Sequence, residues 1–105
     1  MRMDIQVTGW RNGTPKPSGA GYGIRIRRKD REKYFKHVGS FINVQTDKEL
    51  IKVSVSHSFW KNCNELRNSK IGRWMIENKL APWEKNKPPS MTLRTICKGR
   101  FRLYK

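Results

Sequence analysis

Apolar and polar positions alternate at period two through Ile5 to Trp10, Ala20 to Arg27, Ser40 to Gln45 and Leu50 to Val55, the signature of half-buried β-strands. In the second of these, A-G-Y-G-I-R-I-R, the spacing puts Tyr22, Ile24 and Ile26 on one face and Arg25 and Arg27 on the other. Thr46 to Glu49 reads as the polar connection of a hairpin. Met91 to Cys97 and Phe101 to Tyr104, split by Lys98-Gly99, read as a final hairpin. Two segments change period. Lys29 to Lys36 predicts a short helix that starts near Asp30, turns Tyr34 and Phe35 inward and ends near Gly39. Ile71, Trp74, Met75 and Leu80 predict a second helix, capped by Asn68 or Ser69 and stopped before Pro82. Arg11 to Ser18 holds two prolines and a glycine and reads as a basic loop; residues 81–89 form a stiff basic connector.

This order predicts a mostly β protein with two short helices, of the α+β class. Its expected architecture is an open β-barrel of about six or seven mainly antiparallel strands, with the helices at its ends. At 105 residues the chain has room for a single domain, residues 1–105. No apolar run is long enough for a membrane span or a secretory leader, so an intracellular location (cytoplasm, nucleoid or nucleus) and no membrane partner are expected. A monomer is assumed.

Charge changes the picture most. Twenty-four Lys and Arg oppose eight Asp and Glu, for a formal charge of +16. Self-repulsion on that scale opposes the compact state unless a polyanion relieves it, and nucleic acid is the polyanion a cell supplies in bulk. The chemistry of a catalytic site is harder to find. The eight carboxylates mostly sit beside a Lys or Arg on exposed elements, and Glu77-Asn78-Lys79, which matches the E-x-K fragment of metal-dependent nucleases, falls on a helix instead of a strand. Cys63 and His57 lack an orienting partner, His37 has no companion at ligand spacing, and the two cysteines are far apart. No catalytic residue, cofactor or metal is expected.

The stretch S-H-S-F-W-K-N-C-N-E-L-R-N-S-K, Ser56 to Lys70, joins the basic loop as a candidate for contact with a partner. Arginine pairs bidentately with guanine and asparagine with adenine, which makes Arg11, Asn12, Asn62, Asn64, Arg67 and Asn68 candidate base readers. Lys16, Lys61 and Lys70 suit phosphates. Phe59 and Trp74 are expected in the core; Trp60 stands between core packing and base stacking.

Four segments together resemble the DNA-binding pseudobarrel family that includes plant B-three domains and the recognition or effector domains of restriction endonucleases such as EcoRII. They are G-T-P-K-P-S-G-A-G-Y-G-I-R-I, R-K-D-R-E-K-Y-F, V-S-V-S-H-S-F-W-K-N and I-G-R-W-M-I-E-N-K-L, and the likeness runs from Gly13 to Tyr104. The resemblance implies a non-enzymatic grip on double-stranded DNA by two arms that enter the major groove. The first arm would be Arg11 to Ser18, with the strand cations Arg25, Arg27 and Arg28, and the second Ser56 to Asn68. Duplex DNA is thus favoured over RNA as the partner. An RNA-binding barrel and a small metal-dependent nuclease or toxin are the alternatives.

Overall fold

The computed structural model describes residues 2–105. Seven strands form one mixed sheet: β1 (Asp4–Arg11), β2 (Tyr22–Arg25), β3 (Phe41–Gln45), β4 (Leu50–Ser54), β5 (Glu65–Arg67), β6 (Ser90–Cys97) and β7 (Arg100–Tyr104). Their order across the sheet is β4-β3-β7-β6-β1-β2-β5. All neighbours run antiparallel except β3 and β7. The sheet curls into an open pseudobarrel whose two edge strands approach each other at a seam. There the Asn68 amide, just past β5, donates to the Lys52 carbonyl of β4 at 3.3 Å.

The period-two pattern explains the core directly. Ile5 and Val7, Ile24, Ile42 and Val44, Ile51 and Val53, Leu66, Met91 and Leu93, and Phe101 and Leu103 all point into the barrel. Helices close both ends. α1 (Arg28–Tyr34) leads into Phe35, which stacks on Phe101 at 4.7 Å and leans on Phe59 at 5.5 Å. Phe59 belongs to α2 (His57–Lys61), a third helix that the sequence reading left inside the second arm. Arg31 of α1 ties the two together: its guanidinium is buried, donates to the Phe59 carbonyl at 2.8 Å and lies over the Trp60 ring. α3 (Ser69–Glu77) caps the other end through Ile71, Trp74 and Met75, and the Trp74 indole donates to Asp47 at 2.8 Å. Asn68 is its N-cap, accepting from the Lys70 amide at 2.8 Å. Phe59 and Trp74 are core, as expected from their size.

One backbone contact places the first loop. Gly19, at φ +99°, lies against α3 so closely that a Cβ on Gly72 would stand 2.1 Å from the Gly19 carbonyl oxygen. A Cβ on Gly19 would stand equally close to the Ser69 carbonyl. Alanine normally improves a helix over glycine by about 1 kcal/mol. At Gly72 the sign reverses, because two backbones must separate to admit the methyl. Gly72→Ala is expected to cost about 1–3 kcal/mol, read in thermal unfolding as a Tm loss of about 5 °C or more; an unchanged or raised Tm refutes the contact.

Candidate nucleic-acid interface

β1, β2 and β5 present one continuous outer face. Because Ile5, Val7 and Gly9 point inward, Gln6, Thr8 and Trp10 point out. Cross-strand pairing aligns them with β2 and β5 in rows: Trp10 with Gly23 and Arg67, then Thr8 with Arg25 and Glu65. Gly23 contributes no side chain between its two partners, and the Arg67 guanidinium reaches across it to lie 4.6 Å from the Trp10 ring centroid. In the next row the Glu65 carboxylate, only 7% exposed, lies 3.2 Å from Arg67 and 3.8 Å from Arg25. Both guanidiniums remain half exposed. Arg27 is held in the same manner by Asp30, at 2.9 Å. Three arginines are therefore fixed in direction by two nearly buried carboxylates, which also cancel part of their charge.

Two concavities flank the Glu65 row. One, of about 400 Å³, is lined by Trp10, Asn12, Arg67, Asn68 and Ser69 with the backbone of residues 20–22. The other, of about 360 Å³, is lined by Gln6, Thr8, Arg25, Arg27 and Asn64. The first brings the base of the β1–β2 loop beside the start of α3. That loop is a folded extension of the hairpin, with Asn12 N–H donating to the Gly21 carbonyl at 2.9 Å and Lys16 N–H to the Ala20 carbonyl at 2.8 Å. Its Lys16 is exposed.

The second arm is drawn in. Residues 57–61 are helical and 65–67 are paired in the sheet, so between them Asn62 to Asn64 remain irregular, at the start of β5 beside Ile26 and Arg27. Lys61 and Asn62 are exposed at the end of α2, and Arg28 is exposed at the start of α1. Several of the candidate readers are occupied with structure. The Asn64 side-chain amide donates to the Ile26 carbonyl, and the Asn64 backbone carbonyl accepts from Ile26 N–H at 2.8 Å. Asn68 spends its oxygen on the α3 cap and its amide on the seam. Arg11 donates to the Trp83 carbonyl at 3.0 Å and stacks on that indole, beneath the connector. Lys70 lies 3.8 Å from Glu49. Trp60 is partly buried, edge-on to Phe59.

Trp10, Thr8, Gln6 and Glu65 were not singled out in the sequence. The signal for Trp10 lay in the alternation of β1, which puts it on the polar face with Thr8. For Glu65 there was none, because a carboxylate next to Leu66 and Arg67 reads as an ordinary surface charge until β5 is paired with β2.

Among the described residues no three His, Cys, Asp or Glu side chains gather where they would hold a metal ion, and no helix is long and apolar enough to cross a membrane. His57 is exposed on α2 and Cys63 partly so. On β6, Arg94 grips Asp4 through two hydrogen bonds, of 2.7 and 3.2 Å, which hold the Asp4 carboxyl below its ordinary range. The pair therefore stays ionised at neutral pH and loosens only as pH falls through that lowered value.

Asn64→Ala should act on stability, removing a side chain that bonds β2 near the start of β5. We expect a loss of about 1 kcal/mol in urea unfolding, and no loss would return Asn64 to the set of free contact residues. Comparison of the chain with protein-family models, with curated proteins and with solved structures gives no match.

Proposed function

We propose that the outer face of β1, β2 and β5 binds the major groove of duplex DNA without catalysing a reaction on it. The observation that carries the reading is the row of guanidiniums, Arg67, Arg25 and Arg27, held half exposed by Glu65 and Asp30 on a single sheet face. Adjacent strands lie about 4.8 Å apart, so three strands span about 10 Å. The major groove is about 12 Å wide, and β-ribbons enter it in known modes of recognition.

The work divides by side-chain chemistry. A planar guanidinium fixed in direction suits the two acceptors on a guanine edge, and Arg67, supported on Trp10, is the leading reader. Asn12 uses its oxygen to bond Thr14 N–H at 3.1 Å, which fixes the side chain at the mouth of the Trp10 concavity with its amide still available. Asn62 stands at the other end of the face. Lys16 in the β1–β2 loop, and Arg28 and Lys61 at the other end, are exposed cations that hold phosphates, setting register without reading sequence. The resemblance of the chain to two-armed pseudobarrels supports the same reading, although here the second arm is short.

Duplex DNA, duplex RNA and single strands compared at one salt concentration test the proposal. Duplex DNA should bind most tightly, with log Kd changing against log salt by roughly 4 to 7 for five to eight neutralised phosphates. A clear preference for RNA or for a single strand, on which the half-buried Trp10 would stack, replaces the duplex reading. Cleavage with Mg²⁺ or Mn²⁺ that EDTA stops would make the protein a nuclease.

Arg67→Ala and Lys16→Ala should differ in kind. The first is expected to cost about 1–3 kcal/mol on a preferred sequence and to flatten discrimination among sequences. The second should weaken all sequences alike and lower the salt slope by about one. Binding measured on a selected site and on its scrambled version separates the two outcomes.

A further inference from the structure

The exposed charge of the barrel is not confined to the β1–β2–β5 face. Across the barrel, in the order β4-β3-β7-β6-β1-β2-β5, lie β4, β3 and β7. Their outward positions form a second set of cross-strand rows. Lys52, Asn43 and Arg100 make one, and Gln45 with Arg102 begins the next. Phe41 is 43% exposed there, with the Lys52 ammonium 4.2 Å from its ring centroid. Beside Arg100, at the end of the barrel closed by α1, a cavity of about 550 Å³ is lined by Lys33, Lys36 and Lys98 and contains no carboxylate.

The two faces differ in how their charge is held. On the first, every strand arginine has a carboxylate partner. On the second, Lys33, Lys36, Lys52, Lys98, Arg100 and Arg102 form no ion pair among the described residues, so six full positive charges are unopposed. Along the sheet the borders between the faces carry ion pairs. On one side stands β6, where Asp4 cancels Arg94. On the other is the seam, where Glu49 meets Lys70. At the α1 end, by contrast, the exposed Arg28 and Lys29 continue the positive charge from one face toward the other. A single straight duplex cannot lie on both faces at once, since the barrel, 33 × 29 × 21 Å in extent, stands between them.

We infer that the β4–β3–β7 face, with the lysines around the α1 cavity, binds a second nucleic-acid duplex through its phosphates, so that one chain bridges two duplexes. The inference rests on the proposed duplex binding by the first face. Ammoniums, and guanidiniums that no carboxylate holds, suit phosphates more than base edges. The second contact is accordingly blind to sequence and strongly weakened by salt, with a slope near 5 for six phosphates. The net charge of +16 offsets the mutual repulsion of two duplexes held by a chain of this size.

The test uses the full chain and a duplex too short to seat two chains side by side. Sedimentation at duplex excess and low salt should show one chain with two duplexes, and a bead-bound duplex should capture a fluorescent one only when the protein is added. R100E/R102E is expected to leave the first binding event within about twofold and to reduce capture at least about tenfold. K36E/K98E, away from the strands, should do the same and guards against misfolding of the first variant. Complexes of one chain with one duplex at every excess, or of two chains with two duplexes, would overturn the bridge. So would equal weakening of both binding events by the two variants. A wild-type chain that binds no duplex at all sinks the function proposed for the first face, and this inference with it. A chain that binds one duplex and captures no second sinks the bridge alone.

Discussion

The proposed interface depends on the place where Gly19 and Gly72 bring two backbones into contact. A methyl group on either residue would stand about 2.1 Å from a carbonyl oxygen of the other segment, closer than any carbon atom is tolerated. With both residues bare, the β1–β2 loop folds down on the first turn of α3, and Arg73 donates to the Ser18 carbonyl to hold it there. The concavity around Trp10 exists because of this closure. It draws Asn12 from the loop, Arg67 from β5 and Ser69 from α3 to one spot, although they come from separate parts of the chain. Gly23 repeats the principle within the sheet, where its missing side chain lets Trp10 and Arg67 meet.

Charge is arranged on this scaffold by pairing. Eight carboxylates among twenty-four cations cannot neutralise the protein, so where they stand decides what each face does. Glu65 and Asp30 are nearly buried and grip arginines that stay half exposed, which exchanges some net charge for direction. Asp4 cancels a cation on β6. The lysine of β4, the arginines of β7 and the lysines of the α1 cavity keep their full charge. Directed guanidiniums and undirected cations are different instruments, the first suited to base edges and the second to a phosphate chain.

The fold is most legible in the sequence where periodicity is strong and least legible in the stretch from Ser56 to Lys70. Its composition, rich in amides and cations, reads as a polar arm. In the fold Phe59 anchors the stretch to Phe35, the Arg31 guanidinium takes the carbonyl of Phe59, and three residues pair with β2. Asn64 and Asn68 resemble base readers by type alone. Each instead satisfies backbone groups that would be left without partners at the end of a strand or a helix. Local composition cannot distinguish an amide directed at a ligand from one directed at the protein's own carbonyl.

Taken by itself, the sequence determined the alternation that makes the strands, the inward Ile and Val positions on them, the start of the last helix at Asn68 or Ser69 and an excess of positive charge. These follow from side-chain period and ionisation, which are properties of neighbours along the chain. Beyond the two hairpins β3–β4 and β6–β7, only the tertiary structure decided which strands are adjacent, including the parallel pairing of β3 with β7, and hence which cations share a face and which face a carboxylate. That division follows from the physics of the barrel: pairing across strands joins residues far apart in sequence, and no local signal records the partner.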